Sequence, residues 1–160
     1  MSGYCALPFV QYSTYNHGRY RLCCMAKEPA EELNQNHLSM EQIWNSDYMK
    51  EVRKDMLAGK WRSECSECQH LERNGIGSSR QWENKKWQDY TATLDENVSS
   101  PVQFDFRLGN MCNLHCQMCN KDASHLVSVE RAKIKEKYGA PVQHEDWERV
   151  TDNKKEALLQ

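Results

Sequence analysis

The chain has 160 residues, a net charge of -2 and a mean hydropathy of -0.91, with 39% hydrophobic and 28% charged residues. The near-balanced charge offers no basic field for nucleic acid or an anionic membrane, and no apolar run approaches the ~20 residues of a membrane span. The opening Met1-Ser2-Gly3-Tyr4-Cys5 lacks the charged and apolar regions of a secretory signal, so a soluble, cytoplasmic protein is expected.

Leu, Ile, Val and Phe together make about one residue in six, below the roughly 20% that warns of a core too thin to fold. Five Trp, seven Tyr and seven Met add burial that this count omits. Eight cysteines offer a further staple: Cys5, Cys23, Cys24, Cys65, Cys68, Cys112, Cys116 and Cys119. In a reducing compartment such thiols stay unpaired, which favours metal or cluster ligation over disulfides.

Along the chain, residues 9–15 are rich in β-formers, Asn16-His17-Gly18 reads as a turn, and residues 19–22 return as a second strand. Antiparallel pairing would bring Cys5 and Cys23 to one end of this hairpin. A linker follows, and then Ser39 with Gln42 forms a capping-box signature, flanked by Leu38 and Ile43 as a hydrophobic staple. A second helix starts at Asn45 or Ser46, buries Met49, Val52 and Met56 on one face, and ends at Gly59. Residues 60–100 read as polar and irregular. They carry Cys65-Ser66-Glu67-Cys68 and Gly75-Ile76-Gly77, the latter a turn rather than a phosphate loop. Trp61, Trp82 and Trp87 read as core that covers the cysteines, Lys85-Lys86 as a solvated pair, and His17, His70, His125 and His144 as surface or supporting residues.

After Pro101, residues 102–108 alternate strictly, with Val102, Phe104, Phe106 and Leu108 on one face and Gln103, Asp105 and Arg107 on the other. This is either a half-exposed antiparallel strand or a barrel strand whose polar set points inward. Gly109-Asn110 ends it, and a helix over residues 124–138 presents Leu126, Val127, Ile134 and Tyr138 before Gly139-Ala140-Pro141 stops it. A last helical stretch covers residues 152–159.

Between strand and helix stands Cys112-Asn113-Leu114-His115-Cys116-Gln117-Met118-Cys119, a CxxxCxxC loop. Three thiolates so spaced can each hold one corner of a cubane cluster, leaving one iron open to a further ligand. Zinc on Cys112, Cys116, Cys119 and His115 is the alternative.

This loop resembles the signature of the radical S-adenosylmethionine (SAM) enzymes, with Met118 where the family usually has an aromatic residue. The resemblance implies a 4Fe–4S cluster on Cys112, Cys116 and Cys119 whose open iron chelates SAM. Reductive cleavage would then give a 5′-deoxyadenosyl radical that abstracts hydrogen from a substrate. Cys5, Gly18 and Cys23 resemble the opening of the SPASM and twitch auxiliary-cluster domains. Residues 5–9, Ile43-Trp44-Asn45-Ser46, Cys65-x-x-Cys68 and Glu72-x-x-Gly75-x-x-Ser78-x-Arg80 are similar to twitch-domain radical SAM proteins, a likeness that spans roughly residues 4–120. It implies an auxiliary 4Fe–4S cluster on Cys5, Cys23, Cys65 and Cys68, the glycine spacing favouring Cys23 over Cys24. Four-cysteine zinc is the competing reading of the same residues.

The expected architecture is α+β: a small auxiliary-cluster domain over residues 1–95, a β-hairpin plus helices, then the first βα unit of a partial (β/α) barrel over residues 96–160. The expected partners are a reductant such as a flavodoxin or ferredoxin and a peptide or small-molecule substrate. The expected cofactors are the two clusters and SAM. Barrels of this class run to about 200–250 residues, and the family's glycine-rich second-strand motif has no counterpart here. The chain thus reads as an N-terminal portion of a longer enzyme. A non-catalytic zinc-binding module is the alternative, and an electron-transfer iron–sulfur protein a third.

Overall fold

The computed structural model of the chain describes residues 2–27, 33–107, 109–112, 114, 116, 118–119 and 123–139. Helix α1 (Leu7–Val10) comes first, with Pro8 in its opening turn, where a missing N–H is harmless. Strand β1 (Gln11–Thr14) continues from it and pairs antiparallel with β2 (Tyr20–Arg21), Ser13 opposite Arg21 and Thr14 opposite Tyr20. The first strand is therefore shorter than residues 9–15, because Phe9 and Val10 complete the helical turn that Pro8 begins. Gly18 closes the hairpin at φ +85°, a left-handed conformation that a side chain would disfavour.

Helix α2 (Met40–Trp44) carries the expected reciprocal cap: Gln42 N–H donates to Ser39 Oγ at 3.1 Å, and Ser39 N–H to Gln42 Oε1 at 2.8 Å. Helix α3 (Asp47–Leu57) is capped by Ser46 and buries Met49, Val52 and Met56 completely, as their spacing predicts. The core joins this face to Phe9, Val10, Leu22 and Ile43, with Trp44, Tyr12 and Tyr20 as its largest aromatic members. Aromatic and Met side chains thus make up for the scarcity of aliphatic ones.

Residues 60–100 are more regular than expected. A 3-10 turn (Ser63–Cys65) leads into α4 (Ser66–Arg73), and α5 (Ser79–Thr91) follows. Helix α5 buries only Arg80 and Thr91, so it lacks the apolar stripe that would have announced it.

Strand β3 (Gln103–Asp105) lies parallel to β1, with Gln11 beside Gln103, Tyr12 beside Phe104 and Ser13 beside Asp105, giving the order β2-β1-β3. It is shorter than residues 102–108, and it is not an antiparallel strand. Its polar face is the satisfied one. Asp105 Oδ2 accepts from Arg21 Nη2 at 2.9 Å and from Ser13 Oγ at 3.0 Å, and both donors are buried. Val102 and Phe104, on the apolar face, are 46% and 48% exposed.

Helix α6 (His125–Tyr138) begins at a Ser124 cap and ends at Gly139 in the left-handed conformation. Val127 is buried, but Ile134 is exposed, so the expected apolar face is only partly covered. Leu108 and the expected helix at 152–159 lie outside the described residues.

Two compact units divide the chain: residues up to Thr14 with Arg19–Phe106, and Tyr15–Gly18 with the described residues from Arg107 onward. The fold of the described residues is mixed α+β. Among them, no helix is long and apolar enough to cross a membrane.

Candidate metal centre

Four cysteines reach one cavity of the first unit from three separate segments. Cys5, Cys23, Cys65 and Cys68 line a space of about 230 Å³, together with Cys24 and the neutral polar side chains Gln11 and Gln103. The chain has invested many polar contacts in holding these segments.

Cys5 is fixed by a helix that sequence reasoning missed. Asn84 of α5 brackets it, accepting from Ala6 N–H at 2.8 Å and donating to the Tyr4 carbonyl at 3.0 Å. Upstream, Gly3 N–H donates to the Gly59 carbonyl at 2.7 Å, and a Cβ on Gly3 would collide with the Lys60 carbonyl.

Cys23 opens a tight turn closed by Ala26 N–H to the Cys23 carbonyl at 3.2 Å. The next amide, Lys27 N–H, donates to the Glu64 carbonyl at 2.9 Å and so ties this turn to the Cys65 loop. Cys65 ends the 3-10 turn and Cys68 lies in the first turn of α4. Glu64, next to Cys65, is engaged elsewhere: its carboxylate accepts from Tyr48 Oη at 2.7 Å and from Arg62 Nη2 at 3.2 Å. Burial alone would raise the Glu64 pKa, but its hydrogen bonds, from the backbone, Tyr48 and Arg62, outweigh it and hold the carboxyl below its ordinary value.

Behind α4, Glu72, Gly75, Ser78 and Arg80 form one strap. Gly75 takes φ +73° after the end of α4, which is the turn expected of this Gly-x-Gly segment. Ser78 caps α5 and donates through Oγ to Glu72, while Arg80 engages both Glu72 oxygens, with Nε to Oε1 at 2.9 Å. Arg80 also reaches the Tyr4 carbonyl and stacks over Trp61, its guanidinium carbon 4.7 Å from the ring centroid.

The backbone amides of Leu7 near Cys5 and of Met25 and Ala26 near Cys23 act to lower the thiol pKa, by less than burial raises it. In the second unit, Leu114 N–H approaches Cys112 Sγ at 3.5 Å, the same two-residue offset. Such bonds stabilise a thiolate and tune a cluster. As free thiols, however, Cys5 and Cys23 are pushed above their ordinary pKa by burial. Burial pushes Cys65 up to about 12, with Cys23 and Glu64 adding like-charge repulsion. Binding of any metal here must therefore release protons.

Cys23 and Cys24 both line the cavity, Cys23 half-buried and Cys24 exposed. Trp82 does not cover the site, being 73% exposed; Trp87 is half-buried against the core, its Nε1 donating to Glu83. Lys86 is held by Gln103 at 3.1 Å and lies 4.9 Å from the Trp87 ring centroid, rather than being simply solvated.

In the second unit, Cys112 and Cys119 are half-buried and Cys116 is exposed. Met111, Leu114 and Met118 of this loop are exposed as well. Asn113, His115, Gln117 and His144 lie outside the described residues.

Among the described residues, no group of three or more His, Cys, Asp or Glu side chains is placed to hold a single metal ion. One zinc would draw its thiolates to ~2.3 Å from a common point. A cubane receives each thiolate on a different iron and so holds them farther apart. Besides the five thiols, the cavity is lined by Gln11, Gln103, Arg80 and Glu83. No family model, curated protein or solved structure matches this chain.

Proposed function

We propose that the chain is part of a radical SAM enzyme, with an auxiliary 4Fe–4S cluster on Cys5, Cys23, Cys65 and Cys68 and the SAM-binding cluster on Cys112, Cys116 and Cys119. The observation that carries this reading is the gathering of four thiols from three segments around one cavity. The SAM-binding cluster, when bound, supplies an open iron that chelates SAM and the electron that cleaves it to methionine and a 5′-deoxyadenosyl radical.

The chain's own residues support the first of these sites. Asn84 fixes the backbone on both sides of Cys5, and the Lys27–Glu64 backbone bond sets the Cys23 turn against the Cys65 loop. Tyr48 and Arg62 occupy the Glu64 carboxylate beside Cys65. Gln11 and Gln103 bring uncharged polar groups to the cavity, and Arg80 and Glu83 one charge of each sign. An external reductant such as a flavodoxin or ferredoxin supplies electrons, and the substrate is a peptide or small molecule.

Anaerobic reconstitution with iron and sulfide, followed by metal analysis and a visible spectrum, tests the assignment. Brown protein with about eight iron and eight sulfide per chain, as two cubanes require, supports it. Colourless protein that retains zinc overturns it in favour of a zinc-binding module.

A further inference from the structure

Five thiols line the cavity, yet a cubane held by protein thiolates has four corners. Cys24 is the surplus one. It lines the same space as Cys5, Cys23, Cys65 and Cys68, and it is exposed. It sits at the second position of the Cys23-Cys24-Met25-Ala26 turn, whose ends are joined by the Ala26–Cys23 backbone bond of 3.2 Å. The Lys27–Glu64 bond anchors that turn from the other side. Two adjacent cysteines thus line one cavity from a turn with fixed ends, Cys23 half-buried and Cys24 exposed.

Resting on the auxiliary-cluster reading, we infer that Cys24 is an exchangeable ligand for the corner that Cys23 holds. Cys23 is the resident, because it is half-buried where Cys24 is exposed. Cys24 is the reserve. The exchange needs no oxidant or reductant. The Cys24 thiol binds iron and gives up its proton, while the Cys23 thiolate leaves that iron and takes a proton up. The Cys23 corner is one of the two held by half-buried thiols, and a second thiol beside it recaptures iron that would otherwise be lost.

The test uses the full chain with Cys112, Cys116 and Cys119 replaced by Ala, so that only the auxiliary site can hold iron. Reconstituted without oxygen, this reference chain should carry about four iron, and Cys65→Ala should lose them. A reference chain that takes up no iron overturns the auxiliary cluster itself. Given a loaded reference, Cys23→Ala should keep its iron, and Cys24 should change from alkylated by iodoacetamide to protected. The double variant Cys23→Ala with Cys24→Ala should lose the cluster. Loss from Cys23→Ala as complete as from Cys65→Ala, or retention with Cys24 still alkylated, overturns the exchange and leaves the cluster reading standing. Cys24→Ala, at an exposed position, gives a second measurement that does not depend on how Cys23→Ala folds. Its iron should pass to a chelator several-fold faster than that of the reference, and an unchanged rate overturns the exchange.

Discussion

Arg80 holds Glu72 with a two-pronged ion pair, Nε to Oε1 at 2.9 Å, in which both side chains are almost fully buried. Glu72 lies on the helix that begins with the second cysteine pair, and Arg80 lies on the helix whose Asn84 brackets Cys5. The pair therefore joins the two elements that present opposite sides of the cysteine cavity.

Removing one member of such a pair leaves a buried charge uncompensated, which typically costs about 3–5 kcal/mol. Glu72→Gln is expected to lower stability by about 3 kcal/mol at neutral pH. Burial alone would raise the Glu72 pKa, but the Arg80 and Ser78 hydrogen bonds overcome it and lower it. The folded value thus lies below the unfolded value of about 4.3, so the contribution is full above that value and is lost as pH falls through the folded one. Urea denaturation from pH 7 to about pH 3 checks the sign: the gap between the parent chain and Glu72→Gln should shrink on acidification. A gap that stays constant or widens contradicts the assignment.

Arg53 is fully buried without a carboxylate. It donates to the carbonyls of Pro8 at 2.9 Å, Trp44 at 3.0 Å and Glu96 at 3.2 Å, and its guanidinium carbon lies 4.2 Å from the Trp44 ring centroid. Burial pulls its pKa down to about 10, which still leaves it charged at neutral pH. Arg53→Met would strand three carbonyls, each worth about 1–3 kcal/mol when left unpaired. A loss of at least ~3 kcal/mol is expected. Arg53→Lys should restore little, since an ammonium cannot reproduce the planar fork. Denaturant midpoints of the two variants decide the matter, and near-parental stability for either would contradict it.

Cys65→Ala is expected to remove the auxiliary iron and to loosen the first unit, because metal ligation substitutes for a thin core. Amide exchange should quicken over residues 63–73 and at the Cys23 turn, which the Lys27–Glu64 bond couples to Cys65. Unchanged exchange in a chain that has lost its iron would show that the core alone holds these segments.

What could be read in advance was set by short-range chemistry. Ser39 with Gln42, Ser46, Gly59 and the Met49, Val52, Met56 spacing act within a few residues, so caps and buried faces could be placed before any fold was known. Helix α5 escaped because it is fastened by polar side chains: Arg80 to Glu72, Asn84 to Tyr4 and Ala6. Its one local signal was the Ser78–Gln81 capping box, which repeats the chemistry of Ser39–Gln42. For β3, alternation identified the two faces but not their burial. The polar face turned inward because Arg21 and Ser13, distant in sequence, satisfy Asp105. Arg53 and Glu64 were likewise silent, since each works through partners that only tertiary structure brings within reach.

Under the proposed function the Cys112, Cys116 and Cys119 loop would supply an open iron, and the described apolar residues of the loop are exposed. Met111 is 69%, Leu114 58% and Met118 100% exposed, so these apolar side chains form no closed wall beside the thiols. The glycine-rich strand motif that would hold the SAM amino group has no counterpart in this sequence. Affinity would then rest on chelation by iron, without the ribose and adenine contacts that orient the bond to be broken. Weak SAM binding and little reductive cleavage are therefore expected of the reconstituted 160-residue chain. The measurement is anaerobic incubation with dithionite and SAM, following 5′-deoxyadenosine, with Cys116→Ala as the control for the open-iron site. A slow release that disappears in Cys116→Ala supports both the cluster loop and its missing enclosure. Rapid release from the chain alone would mean that the exposed loop closes around SAM by itself.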